Sequence, residues 1–269
     1  MARRSPLFAV SAPYLTRGEY GKIDCFAILQ TGQGFGMIFR MRYYPMFVSL
    51  AGRACLVVGA GQVGLRKIET LAECGASSVL VVDKNPPDKA LELLLRRPGL
   101  TFAQRDFQET DLEGKFLAIA STSSSQVNQR ISDLCRLRGV LCNIVDQPDA
   151  CTFIVPATVR QGDLTLAVST GGQSPALAKT IRKDLQNAYG REYALFLALM
   201  GRLRTLVLAQ GQETEANTAL FRKLVGSRLL EAFKNNDIPL AMAELAAHLP
   251  THLHDQVPSL ITEILHDSA

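Results

Sequence analysis

Several features are scarce in this 269-residue sequence, and each scarcity excludes some classes of function. No apolar run approaches the roughly 20 residues that a membrane-spanning helix needs, so we expect no membrane partner and a cytoplasmic location. The 29 basic and 25 acidic residues leave a formal charge of +4 at pH 7, and no block of lysine and arginine occurs. We therefore expect no nucleic-acid partner, whereas a small polyanionic ligand suits a mildly basic protein.

Metal-ligand and disulfide patterns are scarce as well. The six cysteines contain no CxxC pair, which favours buried free thiols in a reducing compartment. All the histidines lie near the carboxyl terminus, where His248 and His252 are four apart but Pro250 lies between them. We therefore predict no metal site and interpret this segment as a solvated tail.

The first 40 residues show no clear periodicity and make a poor signal peptide, because their apolar run is too short. We predict a poorly ordered N-terminal extension over residues 1–40. The alternative is translation from an upstream start, with Met41 as the natural beginning.

Residues 41–154 alternate between strand and helix patterns. Short apolar runs are followed by stretches with apolar residues at helical spacing, such as the one that ends at Gly75. This alternation indicates βαβ units around a parallel sheet. We predict an α/β fold with a doubly wound Rossmann domain over this range.

The pattern then changes twice. Two strands flank the turn Gln161-Gly162-Asp163, and a helix follows with Ser174 as its N-cap. From residue 191 onward the pattern is helical. We therefore predict a small β-hairpin and helix over residues 155–188 and an all-helical C-terminal region over residues 189–269.

Gly59, Gly61 and Gly64 form a GxGxxG motif between the first strand and its helix. Such glycines permit a tight turn, let the backbone approach a diphosphate and let the helix pack on the strand. Asp83 ends the second strand, where a carboxylate accepts ribose hydroxyls and repels a 2′-phosphate. We predict NAD as cofactor, with NADP left open by the neighbouring Lys84.

Two alternatives to NAD binding remain for the glycine motif, and the hydroxyl residues after the fourth strand also allow two interpretations. A Rossmann-type turn can hold S-adenosylmethionine, and a tight turn can form with no ligand at all. Ser121 and Thr122 follow the fourth strand, where they either border the nicotinamide ribose or belong to a turn in which Ser124 caps the next helix. The predicted cofactor-binding residues are Gly59, Gly61, Gln62, Val63, Gly64, Asp83, Ser121 and Thr122.

Asp146 ends the fifth strand and is expected at the same edge of the sheet as the glycine motif. An acid at this place either caps a turn or handles a proton, and its position alone leaves both open. Asp149 is a second candidate, more typical of a turn with Pro148.

The stretches YYPMFVSLAGRACLVVGAGQVGLRKIETLAECGA, LCNIVDQPDACTFIVPA and GDLTLAVSTGGQSPALAKTIRKDL together resemble one known family. They are similar to the precorrin-2 dehydrogenases, some of which also act as sirohydrochlorin ferrochelatases in siroheme synthesis. The resemblance covers roughly residues 42–190 in order.

The resemblance implies an oxidoreductase that converts precorrin-2 to sirohydrochlorin, with a hydride passing to NAD and a proton to Asp146. It implies a homodimer that exchanges contacts through residues about 155–188, and a helical region that helps to wall the active site. Ser169 and Thr170 correspond to a hydroxyl pair near the tetrapyrrole. Lys179 and Arg182 are then candidates for the substrate carboxylates, although a solvated helix face is the alternative.

Two alternative functions remain. A bifunctional enzyme would also insert Fe²⁺ or Co²⁺ through the same carboxylate, and a non-enzymatic NAD-sensing module would need only the glycine motif and Asp83. The extension 1–40 and the absence of a methyltransferase module after residue 190 depart from the family pattern. We therefore expect precorrin-2 to arrive already methylated.

Overall fold

The computed structural model describes residues 28–31, 34–37, 43–209 and 214–267. It divides into two units at Met46 and Phe47. In the first unit, β1 (Ile28–Thr31) and β2 (Gly34–Met37) form an antiparallel hairpin, where we expected no regular element. The rest of the predicted extension lies outside the described residues.

The second unit begins with a five-stranded parallel sheet in the order β5-β4-β3-β6-β7. Because the order reverses between β3 and β6, the ends of these two strands form the switch point where doubly wound folds bind ligands. The predicted α/β Rossmann domain is confirmed. Its strands are β3 (Ala54–Val58), β4 (Ser78–Asp83), β5 (Leu100–Gln104), β6 (Leu117–Ala120) and β7 (Leu141–Ile144).

Helices cover both faces of this sheet. On one face Ile68 and Leu91 bury their side chains against the strands, and on the other face Ile131 does so. Burial raises the pKa of the Cys55 thiol in β3 to about 11. Cys135 and Cys142 are also buried free thiols, as predicted, whereas Cys74 is exposed. The helices are α1 (Gln62–Glu73), α2 (Lys89–Leu94) and α3 (Ser125–Arg138).

The predicted hairpin and helix follow the sheet. Strands β8 (Ala157–Gln161) and β9 (Leu164–Val168) pair antiparallel and lead into α4 (Pro175–Ala188). The Ser174 hydroxyl accepts a hydrogen bond from the Leu177 amide at 3.2 Å, which confirms the predicted N-cap.

The C-terminal region is helical, as predicted, but the solvated tail was a wrong prediction. Val257, Ile261 and Ile264 are buried in the core of this region, because their spacing places them on one face of a helix. None of the helices among the described residues has the length and apolar character needed to cross a bilayer. The helices are α5 (Arg191–Leu208), α6 (Thr214–Val225), α7 (Leu229–Lys234), α8 (Ile238–His248) and α9 (Val257–Asp267).

Candidate functional site

Two of the motif glycines are required by close packing. Gly59 has φ +93°, and a Cβ placed on it would lie 2.7 Å from the Ser121 carbonyl carbon. A Cβ on Gly64 would lie 2.0 Å from the Gly59 oxygen. The turn therefore lies directly against the end of β6, and α1 lies directly against the turn.

Gly61 differs from these two glycines. A Cβ built on Gly61 meets no atom of the described residues within 4 Å, so the space beside its backbone is open. Gly61 is also the N-cap of α1, and no side chain caps this helix end among the described residues. The first amides of α1, at Gln62 and Val63, have no intrahelical partner. The open space and these donors fit the diphosphate of a dinucleotide.

Asp83 lies beside this turn at the end of β4. Its Oδ2 accepts a hydrogen bond from the Ala60 amide at 2.7 Å. Its Oδ1 accepts hydrogen bonds from the Asn85 amide at 2.8 Å and from the Asn85 side-chain nitrogen at 3.1 Å. Since a carboxylate offers about four acceptor positions, one position on Oδ2 remains for a ribose hydroxyl. The residue therefore fits the predicted role on the adenosine side.

The hydroxyls that follow β6 bond mainly to the protein itself. The Ser121 hydroxyl donates to the Gly59 oxygen at 2.7 Å, and the Thr122 hydroxyl donates to Asn128 Oδ1 at 2.7 Å. Ser124 caps α3 by accepting a hydrogen bond from the Val127 amide at 3.3 Å. The capping interpretation is confirmed, and a contact of Ser121 and Thr122 with a nicotinamide ribose stays a prediction.

Asp146 lies at the same edge of the sheet, just after β7. The Val145 amide donates to the Ala120 oxygen at 3.0 Å, so pairing with β6 continues up to the turn. Asp146 itself has φ +61°, in the left-handed region that aspartate tolerates better than most residues. Its side chain is exposed and has no hydrogen bond or ion pair with any described residue.

The sheet order fixes where this carboxylate stands relative to the glycine turn. Strand β6 separates β7 from β3, and the ends of all three are in register at Val58, Ala120 and Ile144. Two strand spacings amount to about 10 Å across the sheet. Asp83 lies on the opposite side of the turn, so a dinucleotide with its adenosine at Asp83 has its other end toward Asp146.

Two neighbours of Asp146 complete the turn. Asp149 lies in a 3₁₀ turn (Pro148–Ala150), and its carbonyl oxygen accepts a hydrogen bond from the Arg136 guanidinium at 3.1 Å. Cys151 has its sulfur 3.1 Å from the Ile144 amide nitrogen. Sequence reasoning treated Cys151 only as a free thiol, and its place five residues after Asp146 was the available signal.

The predicted substrate residues lie around the start of α4. The Thr170 hydroxyl donates to the Ser174 oxygen at 3.0 Å, and the Ser169 hydroxyl accepts from the Gly171 amide at 3.2 Å. Lys179 is exposed, and the Arg182 guanidinium donates to Gln186 at 2.7 Å. No hydrogen bond or ion pair within the described ranges links these residues to Asp146, so their role stays a prediction.

The absence of a metal site stays a prediction. Within the described part of the chain, no group of three or more His, Cys, Asp or Glu side chains is placed to hold a metal ion. His248 instead lies 3.7 Å from the Glu244 carboxylate, one helical turn away.

Two families of known proteins match adjoining parts of this chain. Residues 46–157 match a family described as putative NAD(P)-binding, and residues 161–188 match one described as sirohaem biosynthesis protein central. The siroheme synthase of Thioalkalivibrio sulfidiphilus is 33% identical over 213 residues, which are 79% of this chain and 43% of that protein. The siroheme synthase of Nitrosomonas europaea is 39% identical over 160 residues, which are 57% and 34% of the two chains. The chain thus spans less than half the length of these relatives.

A solved structure shares the fold. The protein named SirC, precorrin-2 dehydrogenase, aligns with a TM-score of 0.59 and 24% identity, covering 72% of this chain and 98% of that one. The chain is therefore similar to siroheme synthases and to a precorrin-2 dehydrogenase, with a match to a putative NAD(P)-binding family followed by a match to the sirohaem central family.

Proposed function

We propose that this protein oxidises precorrin-2 to sirohydrochlorin with NAD. The observation that carries the proposal is the placement of Asp146. Its carboxylate has no hydrogen bond or ion pair with the described residues and stands exposed at the carboxyl edge of the sheet, two strands from an open glycine turn. The names of the similar proteins, siroheme synthase and precorrin-2 dehydrogenase, supply the substrate class.

The oxidation removes one hydride and one proton from the substrate. NAD, when bound, supplies the hydride acceptor. The residues that would hold it are Gly59, Gly61 and the first amides of α1 at the diphosphate, and Asp83 at the adenosine ribose. Asp146 receives the proton, because its carboxylate stands on the nicotinamide side of this edge and makes no hydrogen bond or ion pair with the described residues.

NAD is favoured over NADP by the charge of Asp83. Its carboxylate lies where the adenosine ribose is expected, and a 2′-phosphate there would face a like charge. Ser121 and Thr122 are placed between the glycine turn and Asp146, and their hydroxyl oxygens retain acceptor capacity for a ribose hydroxyl.

The eight carboxylates of precorrin-2 call for cationic partners. Lys179, Arg182 and Lys183 lie on α4, and Lys179 and Lys183 are exposed. We propose that these side chains bind substrate carboxylates through charge-assisted hydrogen bonds, with Ser169 and Thr170 at the neighbouring turn.

We also propose that the protein is a homodimer. Helix α4 is amphipathic, yet Ala178 is its single buried residue, and Leu177 is 51% exposed. The apolar residues Leu164, Leu166 and Val168 of β9 are only half-buried. A second copy of the chain would cover this apolar surface, which is formed by residues 155–188.

The assignment of Asp146 is tested by removing its carboxylate without disturbing the turn. Asp146→Asn and Asp146→Gly both tolerate a positive φ, so each should keep the fold. We expect kcat for precorrin-2 oxidation to fall by about 10²–10⁴-fold, with NAD affinity unchanged. Full activity in both variants would refute the role, and a loss confined to Asp149→Asn would move the role to Asp149.

A second reaction is suggested by the name siroheme synthase, because siroheme is the iron complex of sirohydrochlorin. We propose an anaerobic assay of sirohydrochlorin with Fe²⁺ or Co²⁺ as metal substrate. A rate above the uncatalysed one would establish metal insertion. An equal rate would leave dehydrogenation as the single proposed activity. Nucleotide binding without any tetrapyrrole turnover would instead favour an NAD-sensing module.

A further inference from the structure

Strand β7 lies at the edge of the sheet, so one side of its backbone has no neighbouring strand. The Leu141 and Val145 amides point toward β6, since they donate to the Phe116 and Ala120 oxygens at 3.1 and 3.0 Å. The Cys142 and Ile144 amides alternate with them and face the open edge. Such edge donors need partners from elsewhere in the chain.

Side chains from residues 151 and 152 supply those partners. The Cys142 amide donates to the Thr152 hydroxyl at 2.7 Å, and the Ile144 amide donates to the Cys151 sulfur at 3.1 Å. The Thr152 amide returns a hydrogen bond to the Cys142 oxygen at 2.8 Å. The chain therefore folds back along β7 after the turn that carries Asp146.

The Cys151 sulfur spans the base of that turn. Its S–H can donate to the Ile144 oxygen at 3.3 Å or to the Gln147 oxygen at 3.2 Å, while the sulfur accepts from the Ile144 amide. The only backbone hydrogen bond between the same two residues is long, 3.4 Å from the Gln147 amide to the Ile144 oxygen. The thiol therefore makes the shorter contacts across the turn.

We propose that Cys151 is a positioning residue for Asp146. This inference rests on the proposed function of Asp146 as proton acceptor. A left-handed residue other than glycine costs about 1 kcal/mol or more and persists only where its surroundings hold it. The Asp146 carboxylate makes no hydrogen bond or ion pair with the described residues, so its direction depends on the backbone that Cys151 holds.

Kinetics of matched variants test the proposal. Losing one net hydrogen bond of about 1 kcal/mol corresponds to a roughly five- to tenfold change, so we expect kcat of Cys151→Ala to fall by about that factor. The KM for NAD should stay within about twofold, because the glycine turn is untouched. Cys151→Ser should recover part of the loss, since its hydroxyl both donates and accepts.

The control variant is Cys142→Ala. It removes a fully buried thiol next to the same edge, but this thiol lies in the core covered by α3 and has the Cys135 thiol as its hydrogen-bond partner. We expect it to lower thermal stability and to leave kcat within about twofold. An equal loss of kcat in Cys142→Ala and Cys151→Ala would overturn the positioning role.

A double-mutant cycle separates this proposal from the proposed function. If Cys151 acts through Asp146, Asp146→Asn combined with Cys151→Ala should turn over no more slowly than Asp146→Asn alone. Full activity in Asp146→Asn would refute the proton acceptor. An inactive Asp146→Asn together with a fully active Cys151→Ala would refute only the positioning role.

Amide exchange gives a readout that needs no activity. We expect the Ile144 amide to exchange with solvent at least several-fold faster in Cys151→Ala than in the unaltered protein or in Cys142→Ala, as measured by NMR. Unchanged exchange at Ile144 would overturn the proposal whether or not the protein turns over precorrin-2.

Discussion

The Asp83 carboxylate accepts a 2.7 Å hydrogen bond from the Ala60 amide and thereby ties the end of β4 to the glycine turn. The residue predicted to bind the cofactor ribose therefore also holds the loop that we propose to bind the diphosphate. One side chain links two parts of the candidate cofactor site, and its charge and its hydrogen bond can be separated by substitution.

Asp83→Asn removes the charge while its amide oxygen can still accept from Ala60. We expect the Kd for NAD to rise about 10-fold or more, because hydrogen bonds to a charged group contribute about 1.5–3 kcal/mol, and we expect NADP to bind relatively better. Titration of both nucleotides by calorimetry measures this. Asn85→Ala is the control, since it keeps the carboxylate and should keep the preference for NAD. If Asp83→Asn keeps the preference for NAD over NADP, the charge of Asp83 does not determine which nucleotide binds.

An added methyl group should lower NAD affinity at Gly61 but should lower the stability of the fold at Gly64. In Gly61→Ala the Cβ enters open space, so the melting temperature should hold while NAD affinity falls at least about 10-fold by obstruction of the diphosphate. In Gly64→Ala the Cβ meets the Gly59 oxygen at 2.0 Å, so unfolding should require less free energy even without nucleotide. Calorimetric melting with and without NAD distinguishes the two, and tight NAD binding by Gly61→Ala would place the diphosphate elsewhere.

Low pH should weaken the ion pair between Asp111 and Arg105 near the end of β5. The two carboxylate oxygens of the buried Asp111 accept guanidinium hydrogen bonds at 2.6 and 2.9 Å, and the Gln108 amide adds a third at 2.8 Å. Burial by itself would raise the pKa of Asp111, but these bonds to Arg105 and Gln108 outweigh burial and hold the pKa below its usual value.

Because the folded-state pKa of Asp111 is depressed, its stabilisation is complete above the ordinary carboxyl value near pH 4 and is lost as pH falls through the folded-state value. Asp111→Asn should therefore lower the free energy of unfolding by about 1–3 kcal/mol at pH 7 and by less below pH 4. Urea denaturation at pH 7 and pH 3.5 measures this, with the exposed Asp106→Asn as control. If the free energy of unfolding of Asp111→Asn differs from that of the unaltered protein by the same amount at both pH values, the depressed pKa of Asp111 does not stabilise the fold.

The apolar surface of residues 155–188 should hold two copies of the chain together. We expect light scattering to give twice the 29.3 kDa of one chain. Leu177→Asp should shift the protein to the monomer, because it puts a charge on the exposed apolar face of α4. Leu137→Asp, on the 83% exposed Leu137 of α3, should leave the mass unchanged. A monomeric wild-type protein, or a dimer that survives Leu177→Asp, would contradict this interface.

Local patterns were sufficient for most of the architecture. The period of the apolar residues placed the strands and helices of the sheet, and the glycine spacing identified the turn before α1. The same reasoning failed at the C-terminus. There, the histidines and Pro250 indicated a solvated tail, whereas the helical spacing of Val257, Ile261 and Ile264 indicated a buried helix face. These three residues of α9 are buried.

The sequence by itself determined the α/β class, the glycine turn and the presence of acids at two strand ends, because each depends on neighbours within about 20 residues of chain. The tertiary structure decided how those acids are held. The Asp83–Ala60 hydrogen bond joins residues 23 apart and forms only when β3 and β4 lie side by side, and the left-handed backbone of Asp146 is seen only in the structure. The placement of the Cys151 thiol across the turn likewise depends on β7 being an edge strand, which the order of pairing in the sheet decides.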